Sequence, residues 1–474
     1  MPSLMQPKQF PSDFIFGIAD ADLQVIGEQN TLTHENACPT MWSHFAKHSG
    51  KCHNNESPDI GVDRYHRWQE DVGLIAELGV AAYRCSISMS RLLTPNGGVN
   101  TKAVAWYRQY FQALKSANIK IFATLYHWEL PQFLHERGGW AERGTVDWLV
   151  KHGMAAMEAF GDLVHDFFVL NEPWCAAMNS YERGAHAPGE TNIHHALLAA
   201  HHLLLAQGII VREAKARFPH IRIGTVYNAQ PSYAASVSQE DLDARARHNA
   251  YYNDWFFEPT YLGRYPAAMV EVYGDNLPDF SKADLEIIHI GNLLDYQGIN
   301  YYKGSMIAEN PVSAPGFKTI IDETLDTNDL GWPVFVPPHY PEGLYDILMQ
   351  IYNRYAPAGL SNIMITENGM ALSSGCDGKA KSVPDGRRVA YFKAHLEQVH
   401  KAILKGIPVT AYFAWTLMDN YEWAEGYRAE ACFGLIHVHR ETLQRTPKES
   451  YFWYQALSRS GILEGQKDNA KLIV

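Results

Sequence analysis

The sequence alternates short apolar segments with longer amphipathic ones, and this alternation is the feature that most constrains its fold. Eight short segments are largely apolar and rich in β-branched or aromatic residues, as expected of strands buried on both faces. They are residues 14–19, 80–86, 119–126, 166–171, 221–228, 295–301, 363–367 and 409–415. Strands separated by helices indicate parallel βαβ units, and eight such units close a (β/α)8 TIM barrel. A doubly wound open sheet is the competing α/β architecture on periodicity alone.

Between these strands, apolar residues recur at the three- and four-residue spacing of amphipathic helices. Residues 63–79 show it most clearly, with Gly79 at the expected helix end. The same periodicity predicts helices in residues 102–117, 145–160, 194–217 and 388–405.

Charge and composition argue against several classes of partner. The net charge of −12 disfavours a basic surface for nucleic acid or anionic lipid. Residues 1–10 lack the apolar core of a signal peptide, and the most apolar stretch, 197–211, is interrupted by polar residues, so we expect no membrane span. Six cysteines without a Cys-x-x-Cys pair fit a reduced compartment. We therefore expect a cytoplasmic protein that binds neither nucleic acid nor membrane; its oligomeric state stays open.

Polar and aromatic residues lie at or just beyond the C-terminal ends of all eight predicted strands, with Arg84 within the second. They are Gln24, Arg84, His127-Trp128-Glu129, Asn171-Glu172, Asn228, Asn300-Tyr301-Tyr302, Glu367-Asn368, and Trp415 with Asp419, Asn420, Glu422 and Trp423. In a barrel the chemistry collects at the C-terminal ends of the strands. We therefore expect these side chains to converge on one site.

Two glutamates in this set match the requirements of glycoside hydrolysis. Pro173 disfavours a helical backbone at Glu172, and the Asn368-Gly369 turn would place Glu367 at the barrel rim. Glycoside hydrolysis needs one carboxyl to protonate the leaving oxygen and one to attack the anomeric carbon, and a separation of about 5–5.5 Å leads to retention. The alternative is an ion pair between Arg84 and one glutamate, with the other glutamate in a solvated loop.

Paired motifs around these glutamates resemble those of glycoside hydrolase family 1, the β-glucosidase family. The two central motifs are Leu170-Asn171-Glu172-Pro173 and Thr366-Glu367-Asn368-Gly369. The resemblance covers nearly the whole chain and includes Tyr83-Arg84, residues 124–128, residues 298–302, Gly331-Trp332, residues 414–423, Phe433-Gly434-Leu435 and residues 445–448. It implies a TIM barrel and a retaining exo-β-glycosidase acting on O-linked β-glucosides, with β-galactosides or β-fucosides as further substrates, through a covalent glycosyl-enzyme.

The resemblance also implies a role for each matching residue. Glu172 would be the general acid/base and Glu367 the nucleophile, with Arg84 and Tyr302 keeping Glu367 ionised and Asn300 supporting the site. The implied substrate-binding residues are Gln24, His127, Trp128, Asn171, Trp332, Trp415, Glu422, Trp423 and Phe433. Among them Asn171 would bind the sugar 2-hydroxyl, Trp415 would stack on the sugar ring and Trp332 would form a wall for the leaving group. The substrate would be a small β-glycoside or short oligosaccharide, and no cofactor or metal is implied.

The chain departs from the family pattern at Ile26, Met89, Val169 and the longer segment 428–432. Asp20 and Asp22 stand where many relatives carry small or hydroxyl residues. We hypothesise that they alter hydroxyl recognition or repel anionic substrates; the alternative is that both are solvent-facing loop charges.

Neighbouring residues argue against two branches of the family. Ala424-Glu425-Gly426 after Trp423 offers an acid where phosphate-binding relatives carry Ser and Lys, and Glu172 stands where thioglucosidases carry Gln. An unphosphorylated, O-linked glycoside is therefore favoured.

Alternative functions remain open at the level of sequence. A His437-Val438-His439 pair lacks convergent further ligands for a catalytic metal, and no phosphate-cradling glycine motif supports a nucleotide cofactor. The same barrel could transfer the sugar to an alcohol, or bind sugars without catalysis. Since the implied site residues run from Gln24 to Trp423, we expect residues 1–474 to form a single glycosidase domain with long βα loops.

Overall fold

Eight parallel strands form a closed barrel in the computed structural model, which describes residues 7–321, 326–332, 341–373 and 382–464. In chain order the strands are β1 (Ile15–Ala19), β2 (Ala82–Ser86), β3 (Lys120–Tyr126), β4 (Asp166–Asn171), β5 (Arg222–Asn228), β6 (Tyr296–Asn300), β7 (Ile363–Asn368) and β8 (Val409–Trp415). Each strand pairs with its neighbours in sequence, and β8 pairs with β1 to close the barrel. The predicted TIM barrel is confirmed, and the open sheet is wrong.

Helices follow the strands and pack on the outside of the barrel. The main ones are Arg64–Leu78, Thr101–Ser116, Thr145–Phe160, Ile193–Arg217, Gln239–Asn249, Trp255–Leu262, Ala267–Tyr273, Lys282–Ile288, Glu342–Tyr355, Gly386–Leu404 and Glu449–Ser460. Shorter helices lie at Asp22–Ile26, Glu28–Glu35, Met41–His48, Met89–Leu92 and Gln132–His135. All five predicted helices are present; the first ends at Gly79, whose left-handed backbone (φ 73°) favours glycine.

The longest helix, Ile193–Arg217, is also long and apolar enough to cross a membrane, but 72% of its apolar window is buried inside the protein. A core helix of a globular protein has the same character. Its Asn192 side chain accepts a hydrogen bond from the backbone N–H of His195 and so caps the first turn.

Aromatic rings fill the barrel interior beneath the strand ends. Phe122 of β3 packs against Phe168 of β4 and Phe413 of β8, with ring centroids 5.9 and 5.2 Å apart. Tyr296 of β6 completes the layer, 5.1 Å from Phe168. Gly17 leaves room for this layer, because a Cβ there would lie 2.4 Å from the Phe413 ring. The C-terminal ends of the strands therefore lie above a packed layer of aromatic rings.

Additional strands decorate the barrel. Ser232–Ala234, Ser305–Glu309 and Phe317–Ile320 form a three-stranded sheet from the loops after β5 and β6. Ile436–Val438 pairs with Arg445–Pro447 after β8, and Lys8–Gln9 pairs with Ile462–Leu463 across the bottom of the molecule. The long β5–β6 and β6–β7 loops thus build one wall above the strand ends.

Candidate active site

A cavity of about 330 Å³ opens at the C-terminal ends of the strands. We call it the barrel cavity, and most of the residues that the sequence assigned to a site line it: His127, Trp128, Glu172, Asn300, Tyr302, Trp332, Glu367, Trp415, Glu422, Trp423 and Phe433. Arg84, Asn171 and Gln24 lie behind this lining and hydrogen-bond to its residues. The structure therefore brings the predicted set together in one place.

Glu172 directly follows β4, and its carboxyl is held by two donors. Asn300 Nδ2 donates to Oε1 at 2.7 Å, and the Cys175 thiol donates to Oε2 at 3.0 Å. Its backbone is left-handed (φ 49°), in keeping with the bias that Pro173 imposes against a right-handed helix. The side chain is buried, with 6% of the residue exposed.

Glu367 on β7 is held by a cation and a phenol. Arg84 Nη1 donates to Oε1 at 2.6 Å, and the Tyr302 hydroxyl donates to Oε2 at 2.7 Å. Only 3% of Glu367 is exposed. The alternative interpretation is right about an ion pair between Arg84 and one glutamate, and it is wrong about a solvated second glutamate, because both glutamates are buried in the same cavity.

The two carboxyls differ in their electrostatic surroundings. Burial and the nearby Glu367 charge together raise the pKa of Glu172 to about 7. Burial also raises the pKa of Glu367, but the Arg84 charge and the hydrogen bonds from Tyr302 and Arg84 oppose that increase. A proton shared by the pair therefore resides on Glu172.

Arg84 and Asn171 form a buried layer that sets the state of His127. Arg84 Nη2 donates to Asn171 Oδ1 at 2.6 Å, which leaves the Asn171 amide N–H to face His127 Nε2 at 3.0 Å. Burial lowers the pKa of His127 well below its usual value, so the ring is neutral and this contact assigns its proton to Nδ1. Within the described chain His127 Nδ1 has no hydrogen-bond partner.

Gln24 and Glu422 connect the loops after β1 and β8. Gln24 Nε2 donates to the Tyr421 carbonyl at 2.7 Å and approaches Glu422 Oε2 at 3.3 Å. The buried Gln24 Oε1 has no partner among the residues that the structure describes. Burial, with the Glu367 charge, raises the pKa of Glu422 well above its usual value. A buried polar atom without a protein partner, such as Gln24 Oε1, can form a hydrogen bond with a hydroxyl of a ligand.

Aromatic rings flank both ends of the barrel cavity. Trp415 and Trp423 lie parallel to the His127 ring, with centroids 5.9 and 5.8 Å away. At the mouth, Trp332 packs against Tyr302 and Phe433 at 5.8 and 5.9 Å. Flat apolar faces next to fixed polar groups suit a sugar, which presents C–H patches ringed by hydroxyls.

The sequence reasoning missed several residues of the cavity wall. They are Trp174, Cys175, Asn179, Arg183, His186, Gln230, His248, Tyr252, Lys303, Ser305, Thr319 and Leu330. Trp174 and Cys175 directly follow Glu172-Pro173, and this adjacency could have identified them. Tyr252 and His248 come from the long β5–β6 connection, where no motif marks them.

Asp20 and Asp22 do not line the barrel cavity. Asp20 is bound by Arg64 Nη1 at 2.7 Å and by the Tyr83 hydroxyl, and Asp22 by Arg91 Nη1 at 3.0 Å. Both aspartates are buried, so the solvent-facing alternative is wrong. Their charges belong to ion pairs that fix helices to the barrel.

The many histidines do not converge on a metal. No group of three or more His, Cys, Asp or Glu side chains suited to a metal ion occurs in the described ranges. His437 instead contacts Asp419 at 3.3 Å, and His201 contacts Asp284 at 3.2 Å.

Comparison with known proteins identifies relatives of this chain. The model of glycosyl hydrolase family 1 matches residues 6–461. A beta-glucosidase from Agrobacterium sp. is 38% identical over 98% of both chains. A bifunctional beta-D-glucosidase/beta-D-fucosidase from Bifidobacterium breve is 34% identical over 94% of this chain and 97% of its own. A family 1 glycoside hydrolase from Thermotoga maritima, complexed with a cyclophellitol analogue transition state mimic, superposes with a TM-score of 0.90 at 35% identity, covering 97% of this chain and 100% of its own.

Proposed function

Because the chain belongs to glycosyl hydrolase family 1, we propose that it is a retaining exo-β-glycosidase that hydrolyses O-linked β-glucosides in the barrel cavity. We assign the roles from one observation, which is that the two buried carboxyls have different binding partners. Arg84 binds Glu367 at 2.6 Å, whereas Glu172 makes no ion pair with a described residue. Glu367 therefore serves as nucleophile and Glu172 as acid/base.

The first half of the reaction uses both groups together. The ionised Glu367 attacks the anomeric carbon, and Glu172 gives its proton to the departing glycosidic oxygen. The products are the free aglycone and a glycosyl ester of Glu367. Arg84 and Tyr302 hold the attacking carboxylate in place, so little reorganisation is needed as its charge is consumed.

The second half follows from the coupling between the carboxyls. Once Glu367 is esterified it carries no charge, and the contribution that raises the pKa of Glu172 is lost. The pKa of Glu172 then falls, and Glu172 is present as the carboxylate. In that form it accepts a proton from water, whose oxygen attacks the anomeric carbon and releases Glu367.

Side chains behind Glu172 and Glu367 are suited to hold the sugar. We propose that Gln24 Oε1, His127 Nδ1 and the Glu422 carboxyl bind glycone hydroxyls, that Asn171 binds the 2-hydroxyl and that Trp415 and Trp423 contact the ring. The two unpartnered buried atoms, Gln24 Oε1 and His127 Nδ1, support this assignment. The name of the Bifidobacterium breve relative supports β-fucosides as a further substrate class; β-galactosides stay a prediction.

The compartment and the domain organisation are also proposals. We propose a cytoplasmic enzyme, because Cys38, Cys52, Cys85 and Cys175 are buried free thiols. We propose a single glycosidase domain over residues 1–474, because strands from both ends of the described chain build one barrel.

A panel of 4-nitrophenyl β-glycosides tests the proposed function. We expect nitrophenol release to be fastest from the glucoside or fucoside, and NMR to show the β-anomer of the sugar as the first product. Glu367→Ala should abolish release. A wild-type protein inactive on the whole panel would favour a sugar-binding protein without catalysis, and a Glu367→Ala variant as active as an active wild type would contradict the role of Glu367 as nucleophile.

A further inference from the structure

Two cations lie on the outer wall of the barrel cavity, beyond the sugar site. Lys303, just after Tyr302, extends over the Trp332 ring with its Nζ 5.4 Å from the centroid. Arg183 lies over the Trp174 ring at 4.9 Å, and Trp174 is two residues from Glu172. Both cations line the cavity. Each therefore rests on an aromatic face at the mouth.

Neither cation is neutralised by an acid. Lys303 and Arg183 form no ion pair within 4.0 Å in the part of the chain that the structure describes. Burial raises the pKa of Glu182, against the effect of the nearby Arg183 charge, and the Glu182 carboxyl is bound by the Tyr251 hydroxyl at 2.6 Å. Glu425, an acid of the cavity wall, is paired with Arg428 at 3.1 Å. The wall around Lys303 and Arg183 therefore holds two basic groups and no acid paired with either, while burial and the Arg183 charge lower the pKa of the Lys303 ammonium.

The inner and outer halves of the cavity have opposite charge. The inner half holds the Glu367 carboxylate, which disfavours an anionic sugar. The outer half holds Lys303 and Arg183 with the uncharged donors and acceptors of Asn228, Gln230 and His248. Burial and the two nearby cations lower the pKa of His248 to about 3, so its ring is neutral. Charge thus changes sign along the path that a substrate would occupy.

The position of Glu172 shows which half receives the leaving group. An acid that protonates the glycosidic oxygen must lie between the sugar and the aglycone. From Glu172, the wall continues through Trp174 to Tyr252, whose ring centroids are 4.5 Å apart. Arg183 lies on Trp174, on this side of Glu172. The wall that holds Lys303 and Arg183 therefore faces the aglycone.

We propose that this enzyme prefers β-glucosides whose aglycone carries a negative charge, which Lys303 and Arg183 recognise from two sides of the cavity mouth. The inference deepens the proposed function and rests on it. The glycone stays neutral and the anion is on the leaving group. A carboxylate is the test case, since it accepts hydrogen bonds from both ammonium and guanidinium groups.

The test compares two substrates that differ in charge alone. They are 4-(β-D-glucopyranosyloxy)phenylacetate and its primary amide. In both, a methylene group separates the carboxylate or amide from the aromatic ring, so the two phenol leaving groups have similar acidity. We expect wild type to favour the anion in kcat/KM. In a Lys303→Gln/Arg183→Gln double variant the anion-to-amide ratio should fall by roughly tenfold, which corresponds to about 1.4 kcal/mol. Added salt should lower the wild-type ratio as well.

A control variant and the amide substrate separate a specific effect on anion recognition from a general loss of folding or charge. Lys405→Gln removes an exposed cation at the end of helix Gly386–Leu404, away from the barrel cavity, and should leave the ratio as in wild type. Hydrolysis of the amide shows that a variant is folded, and the salt dependence of wild type needs no variant. A ratio that neither the double variant nor salt alters would overturn the inference and leave the proposed function intact. If wild type hydrolysed neither substrate, both would fall.

Discussion

At the scale of single residues, Glu172 and Glu367 have the same side chain and acquire different roles from their neighbours. Of the two carboxyls, Arg84 and Tyr302 bind that of Glu367, while the amide of Asn300 and the thiol of Cys175 bind that of Glu172. Two charges of the same sign in one buried site cannot both be accommodated at low cost. The cation therefore decides which carboxyl is ionised.

Replacing the acid should change the pH profile. Because Glu172 acts in its protonated form and its pKa is about 7, wild-type kcat/KM should fall as the pH rises through about 7. Glu172→Gln should lower kcat/KM for an alkyl β-glucoside by about 10²–10⁴-fold. With a dinitrophenyl glucoside, which needs no acid, the variant should lose the alkaline limb. Persistence of that limb would assign it to another group.

The thiol of Cys175 should adjust this pKa. Its hydrogen bond to Glu172 favours the ionised carboxyl and lowers the pKa against the effect of burial. Cys175→Ala should therefore move the alkaline limb of kcat/KM to higher pH. Cys38→Ala is the matched control, since Cys38 is buried away from the barrel cavity and its thiol contacts the Leu93 carbonyl. An equal shift in both variants would rule out a specific role for Cys175.

Individual residues also show where the sequence is informative. Motifs next to strand ends identified Arg84, Tyr302 and Asn300, because a barrel fixes where a strand end points. His248 and Tyr252 were not identified, because their position depends on the path of the long β5–β6 connection, which no local pattern specifies. The Asp20 and Asp22 pairs were also missed, since their partners Arg64 and Arg91 lie on distant helices.

At the scale of secondary structure elements, the strands were predictable and the loops were not. Strands of the barrel are apolar on both faces, so their segments were identified to within two residues at either end. The three-stranded sheet of the β5 and β6 loops is partly exposed and was not predicted. Such edge strands depend on partners that are distant in sequence.

One buried cation holds a helix to the barrel. Arg64, on helix Arg64–Leu78, binds Asp20 at 2.7 Å and Asp71 at 2.9 Å with all three side chains buried. Arg64→Met would leave both carboxyls without this partner, and we expect a loss of about 3–5 kcal/mol in the free energy of unfolding.

Denaturant unfolding measures this loss. Arg67→Met on the same helix is the control, because Arg67 is partly exposed and its ion pairs are 3.7 Å long; it should cost at most about 1 kcal/mol. Equal midpoints for the two variants would contradict the role given to Arg64.

At the scale of the whole molecule, the active site depends on both ends of the barrel. Gln24 after β1 contacts Glu422 after β8, and β8 pairs with β1 along Ala411–Trp415. No contiguous half of the described chain contains the nucleophile, the acid and these sugar-binding groups together. This dependence is the physical reason to propose one domain.

A single domain predicts cooperative unfolding. On heating, tryptophan fluorescence, near-UV circular dichroism and residual activity should change in one transition at the same temperature. Two separate transitions, with activity lost in the first while half of the tertiary signal remained, would indicate independent units.

The identity of the nucleophile is the central claim, and covalent trapping tests it most directly. A 2-deoxy-2-fluoro-β-glucoside with a dinitrophenol leaving group forms the glycosyl-enzyme quickly and hydrolyses slowly, because the fluorine disfavours an oxocarbenium-like transition state. Peptide mass spectrometry of the inactivated protein should find one fluoroglucosyl group, attached to Glu367. An adduct on any other residue, or inactivation without a covalent adduct, would contradict the account.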